Sequence, residues 1–203
     1  MQEPAMLKFA TLGPSGSNHE LVTQAYLELH GLSDARIVFV DDFDQALALM
    51  VDGTVQHTIQ AAVHPQATST VAKACLRHRI FVIDTFISPS HPLAVLTRVK
   101  VATPQSLGLQ PATKDYVDTD RWPTLVPEGS TVAVGEGLLA GRYDSGLTLL
   151  ELADRHPGRF RVDEIIGSVD DPWLVYGRQR TTGGRLLAWS DSPAARLYAR
   201  EDG

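Results

Sequence analysis

The sequence predicts an α/β fold of two lobes facing one cleft, and three observations predict it. Through the first hundred residues the apolar positions switch repeatedly between the two-residue period of strands and the 3.6-residue period of helices. After Arg98 that pattern restarts, with no Gly/Ser linker of the kind that separates independent domains. Turn residues gather around Thr97-Arg98 and again from Ser168 to Asp171, which reads as two crossings between lobes. Residues 7–97 with 170–190 then make the first lobe, and residues 98–169 a second lobe inserted into it. A cleft between such lobes is where small molecules bind.

Each element follows from its own stretch of chain. Leu7 to Leu12 reads as a strand, and Leu21, Ala25, Tyr26 and Leu29 then recur at helical spacing up to Gly31, a C-terminal glycine. Ile37 to Val40 is a β-branched strand, and Phe43, Ala46, Leu47 and Met50 mark a helix ending near Gly53. Thr58 to Val63 is strand-like, Thr70 to Leu76 helical, Ile80 to Phe86 a strand, and Leu93 to Thr97 one more apolar strand beyond Pro89 and Pro92. Strands alternating with helices of about ten residues imply a largely parallel sheet. The second round comprises Thr103 to Val117, Thr131 to Ala140, a strand at Ser145 to Thr148, a helix ending near His156-Pro157-Gly158, and a strand from Phe160 to Ile165. Trp173 to Gly177 and Leu186 to Trp189 close the set.

Composition narrows the functions. The chain has 203 residues, 43% hydrophobic and 21% charged, which describes an ordinary globular protein with a real core. With 18 Lys+Arg against 24 Asp+Glu its net charge is −6, and without basic runs neither nucleic acid nor an anionic membrane is expected as partner. Cys75 is the only cysteine, which excludes disulfide frameworks and Cys-rich metal sites. Seven histidines lie scattered without HxxxH or HxH spacing, so no metal site is expected. Neither a leader nor an apolar run of about 18 residues is evident, and the expected address is the cytoplasm.

The most specific motif is Leu12-Gly13-Pro14-Ser15-Gly16-Ser17-Asn18, a strand leading through a Gly-rich turn into a helix. Unpaired N–H groups of a first helical turn, at the positive end of the helix dipole, suit a carboxylate or phosphate. Ser17 or Asn18 would equally serve as the helix cap. The loop is neither GxGxxG nor GxxxxGK[ST], and Ser17 breaks GxSxG, so nucleotide binding and α/β-hydrolase chemistry lack support.

On these residues the chain resembles the prephenate dehydratase family, whose first strand ends in Leu-Gly-Pro-x-Gly-Thr; here Ser17 stands for the Thr. The family's Pro-Ile-Glu-Asn-Ser turn corresponds to Pro65-Gln66-Ala67-Thr68-Ser69, which keeps the Pro and the Ser. Gly129-Ser130-Thr131 matches its Ser-Thr helix start, and Asp144-Ser145-Gly146-Leu147 its next strand. The family's Thr-Arg-Phe, whose Thr helps a hydroxyl leave, is replaced by Pro172-Trp173-Leu174. The likeness covers residues 7–178 and implies a periplasmic-binding-protein-like, two-lobed α/β fold with an interlobe cleft. Many full-length members sense phenylalanine through a C-terminal ACT domain; at 203 residues none is expected here, and hence no such feedback.

Short members without Thr-Arg-Phe resemble the bacilysin-type prephenate decarboxylases of specialised metabolism, which remove CO2 without aromatising the ring. The resemblance therefore implies a cofactor-independent lyase on a small anionic cyclic substrate, most directly prephenate. One alternative is a dehydratase- or isomerase-like step on a tropone-type seven-membered-ring carboxylate or thioester in antibiotic biosynthesis. Another is a non-catalytic protein that binds a small carboxylate. Two-lobed proteins of this kind often dimerise, and a homodimer is expected.

The resemblance also assigns roles. Ser15, Gly16, Ser17 and Asn18 would hold one carboxylate, while Thr68, Ser69, Ser130 and Thr131 line the cleft opposite. Decarboxylation beside a cyclohexadiene needs an acid to protonate a ring carbon, and His19 and His64 are the candidates, with His91 a further one. Trp173 would be either an apolar lid or core. Asp41, Asp42 and Asp44 sit where carboxylates favour a helix start, whereas Asp170 and Asp171 border the second crossing and are functional candidates or a solvated turn. Arg77, His78 and Arg79 suit a helix C-terminus, and Cys75, inside a helix, is expected as a small core residue.

Overall fold

The structure is a computed structural model and describes residues 6–189. Two mixed five-stranded sheets carry the chain. In the first, β1 (Lys8–Leu12) pairs in parallel with β2 (Arg36–Val40) and β3 (His57–Ala61), and β10 (Asp170–Gly177) runs antiparallel between β3 and β4 (Phe81–Pro89). In the second, β6 (Ser106–Leu109) pairs in parallel with β7 (Thr124–Pro127) and β8 (Ser145–Leu149), while β5 (Leu93–Arg98) runs antiparallel between β8 and β9 (Phe160–Gly167). The fold is a two-lobed α/β fold, one sheet to each lobe.

Period-two alternation sends neighbouring side chains of β1 to opposite faces of the first sheet. Ala10 packs with Val40, Phe43, Met50 and Tyr176 under α2 (Phe43–Val51). Phe9 packs on the other face with Val22, Ile59, Trp173 and Val175 under α1 (Asn18–Leu29). The stripe of α2 read from the sequence, Phe43, Ala46, Leu47 and Met50, is the buried one. Asp42 caps that helix by accepting from the Gln45 N–H at 2.8 Å, and Asp44 pairs with Lys73. α3 (Ala67–Lys73) passes into a π-helical turn, Ala74–His78, on which Cys75 is exposed rather than in the core and which stops at Arg79 in the left-handed region with φ 54°. In the second lobe α4 (Thr131–Ala140) lies over β8 and β6, and α5 (Glu151–Arg155) is a short link to β9.

Three expectations are corrected. β5 was expected in the first lobe, but it is an inner strand of the second sheet, bonded to β8 and β9. Leu93 to Leu96 are all buried there, and an inner strand reads as the same unbroken apolar run whichever sheet it joins. The first crossing is therefore at Ser90–Pro92 rather than Thr97-Arg98. Leu186 to Trp189 is no strand: among the described residues it joins no sheet, and Leu186 is 93% exposed. Residue 190, the outer bound expected for the first lobe, lies outside the described residues. The first sheet is parallel except for β10, which returns from the second lobe and so enters in the reverse sense.

The two crossings lie side by side. The Ser90 N–H donates to the Val169 carbonyl at 2.8 Å, and the Val169 N–H donates back to Ser90 Oγ at 3.0 Å. This pair of bonds is the seam between the lobes, and the cleft opens beside it.

Candidate functional site

The turn after β1 is built by local hydrogen bonding. Gly16 has φ +83°, a conformation that side chains other than glycine's rarely adopt. Ser17 caps α1, its Oγ accepting from the Glu20 N–H at 3.3 Å and donating to the Leu12 carbonyl at 3.4 Å. The Glu20 carboxylate folds back to accept from Ser15 Oγ at 2.7 Å and from the Gly16 N–H at 2.5 Å. Ser15 and Gly16 thus spend their donors on a carboxylate of their own chain, and neither lines the cleft. The signal for this was local, the Ser17-x-x-Glu20 spacing of a capping box. Ser17, Asn18 and His19 do line the cleft, and Asn18 Oδ1 accepts from the His91 N–H at 2.8 Å, tying α1 to the first crossing.

The opposite wall is the start of α4. Ser130 Oγ accepts from the Ala133 N–H at 3.0 Å, and Gly129, Ser130 and Thr131 line the cleft. Two helix N-termini from different lobes therefore open onto one space of about 350 Å³, within the size range of small-molecule sites. His64 stands in the middle of the β3–α3 turn. Thr68 and Ser69, expected beside it, are exposed on α3 away from the cleft, with Ser69 Oγ donating to the Gln66 carbonyl at 2.9 Å. In their place the second lobe supplies Thr113 and Tyr116 from a 3₁₀ segment, Pro111–Tyr116, that no sequence period marks, and Gln110, its cap.

Trp173 is 1% exposed and forms the back wall as part of the core, so it is no lid. Its ring meets His19 edge-on at 5.0 Å, and His19 meets His64 at 6.1 Å. Both Trp173 Nε1 and His19 Nε2 are buried without a hydrogen-bond partner. Buried polar atoms are nearly always paired, so unpaired ones beside a cleft mark a place where a ligand or water completes the set.

The electrostatics are unusual for an anion site, because among the described residues no Lys or Arg lines the cleft. Burial, and then the neighbouring His64, pull the His19 pKa down to about 3, so this ring is neutral in the physiological range. Burial also lowers the His64 pKa, and its Nδ1 accepts from the Gln66 N–H at 3.2 Å, which puts the proton of the neutral ring on Nε2. As a store of protons, His19 does not meet the role expected of it. Among the described residues Asp171 is the one carboxyl in the lining, its pKa raised by burial and by Asp170. Tyr116, facing it from the other lobe, is raised by burial and by the Asp171 charge. Among the described residues no three His, Cys, Asp or Glu side chains gather as a metal ion would require.

No protein-family model matches the chain, and no curated protein matches it in sequence. Solved structures do match in fold. A prephenate dehydratase from Arthrobacter aurescens, in complex with L-Phe, aligns with a TM-score of 0.63 at 20% identity over 89% of this chain and 62% of that one. An ABC transporter structure from Parabacteroides distasonis aligns at TM-score 0.54 and 15% identity, over 86% of this chain and 66% of that one. A structure described as a novel type of quorum quenching acylase, GqqA, aligns at 0.55 and 13%, over 85% and 64%. At these identities the likeness is one of fold, and the chain spans less than two thirds of the length of the dehydratase it matches. Among the described residues no helix is long and apolar enough to cross a membrane.

Proposed function

We propose that the cleft is the active site of a cofactor-independent lyase for a small cyclic carboxylate, and that its reaction is the non-aromatising decarboxylation of prephenate. The observation that carries this reading is the lining itself: two helix N-termini from opposite lobes, no cation among the described residues, and an indole wall. The first-turn N–H groups of α1 and α4 offer separate seats for the two carboxylates of such a dianion, with Ser17, Asn18, Ser130 and Thr131 around them. A carboxylate held against Trp173 is poorly solvated and has no guanidinium to pair with. Losing CO2 spreads that charge into the ring, so a water-poor wall favours the transition state over the ground state. The resemblance supports the same direction of chemistry, since Pro172 replaces the Thr that would help a hydroxyl leave.

The step balances without a cofactor. The ring–carboxylate bond breaks, CO2 departs, its electron pair enters the diene, and a ring carbon takes up one proton. Binding without chemistry is the second reading, favoured by the cleft's position beside a paired crossing on which two lobes can close. Incubation with prephenate separates the readings, following CO2 release, phenylpyruvate absorbance and product mass. The expected result is CO2 with a non-aromatic product. Phenylpyruvate as main product would show dehydration instead, and binding without turnover would leave the carboxylate-binding protein. Turnover of a seven-membered-ring carboxylate or thioester in place of prephenate would favour the tropone-type step.

A further inference from the structure

We propose that Asp171 is the catalytic acid of this cleft, delivering the proton that the ring carbon takes up. The proposal rests on the lyase reading above. Asp171 sits at the start of β10, opposite Ser88 of β4 and two residues from Trp173, where the first lobe meets the second. It is half-buried, and among the described residues it is the only carboxyl lining the cleft.

The other proton-bearing groups around the cleft fail one by one. His19 of α1 is neutral and would have to surrender an imidazole proton. His64 of the β3–α3 turn has Nδ1 engaged with the Gln66 N–H and is likewise held toward its neutral form. Tyr116, from the second lobe, grips its proton more firmly than a free phenol. Among the described residues no Lys or Arg is in the lining to pull a carboxyl into its charged form, and Asp170 next along β10 pushes the other way. A carboxyl in such a setting retains a proton to a higher pH than a solvated one and can pass it on. In the step, the Asp171 O–H bond breaks as the new ring C–H bond forms. Asp171 is left as carboxylate and is recharged from water, with no change of oxidation state.

The test uses prephenate with wild-type protein, Asp171→Asn, Asp171→Glu and Asp170→Asn, reading CO2 release against pH and prephenate binding by calorimetry. Wild-type turnover should fall as pH rises through the Asp171 pKa. Asp171→Asn should lose about 10²-fold or more in kcat while still binding prephenate, the scale of a missing general acid. Its pH limb should vanish. Asp171→Glu, which keeps a carboxyl, should recover some of the rate, and Asp170→Asn should move the limb to lower pH. Asp171→Asn with wild-type kcat, or with a defect confined to binding, overturns the assignment while leaving the lyase reading intact. Absence of CO2 release by the wild type overturns the lyase reading and the acid together.

Discussion

Replacing Gly108 by Ala tests how the second lobe holds α4, and with it one wall of the cleft. Gly108 lies in β6 against the ring of Tyr143, which is 2% exposed. A Cβ built on Gly108 would overlap Cε2 and Cζ of that ring and lie 2.7 Å from Cε1, inside the 3.0 Å that Cβ atoms essentially never cross. The ring has nowhere to retreat. Its hydroxyl donates to the Val134 carbonyl at 2.6 Å, and Gly137 of α4 is pressed against the same hydroxyl. Relief requires α4 to move off the sheet or Tyr143 to leave its bond. Overpacking of this kind costs roughly 1–3 kcal/mol, and the rigidity of the ring places Gly108→Ala near the upper figure. A chain of this size loses about 2–4 °C per kcal/mol, so the thermal midpoint should fall by roughly 6–12 °C. Differential scanning calorimetry measures it, with urea titration as a second probe. Gly108→Ala/Tyr143→Ala should be less destabilised than the two single changes summed, with a coupling of about 0.5–3 kcal/mol. A Gly108→Ala midpoint within about 1 °C of wild type would refute the clamp.

Three more outcomes follow from single interactions. Ser145 Oγ accepts from Trp122 Nε1 at 3.1 Å and lies 2.5 Å from Thr97 Oγ1, so Ser145→Ala strands a buried indole N–H and should cost about 1–3 kcal/mol in urea unfolding. Ser130→Ala removes the cap of α4 and should cost about 1 kcal/mol, with weaker binding of any carboxylate seated there by calorimetry. Because the folded-state pKa of His19 lies near 3, below the 6.5 of the unfolded chain, the unfolded state takes up a proton first as pH falls. This contribution to stability is complete above about pH 6.5 and should decline by up to about 1.4 kcal/mol per pH unit down toward pH 3, a slope that His19→Gln should lessen.

Legibility in the sequence tracks the range of the interaction concerned. The stripe of α2 and the strands β1, β2 and β8 are readable because periodicity is local, as is the cap at Asp42. The sheet that β5 joins is not, since Leu93 to Leu96 look alike from either side and only pairing with β8 and β9 decides it. β7 escapes notice because it is four residues long, ends in Pro127 and buries little. At the site, the turn into α1 is legible, and so is the Ser17-x-x-Glu20 spacing that turns the Ser15 and Gly16 donors onto Glu20. The neutrality of His19 cannot be read at all: Phe43, His64 and Trp173 converge on it from three separate elements. Tyr116 and Thr113 come from a segment with no period to betray which way it faces.

The strand that completes the first sheet has a consequence for how the chain is made. β10 separates β3 from β4, yet Tyr176 reaches its partner Gln60 across 116 residues of sequence. During synthesis at about 5–20 residues per second, β1 to β4 wait on the order of several seconds for that strand, with β3 and β4 both unpaired on the sides that will face it. The second lobe, whose strands β5 to β9 are contiguous, has all its pieces before the first lobe does. Assembly in the cell should therefore run against the order of the sequence: the inserted lobe closes first, and the lobe begun earliest is the last to be sealed.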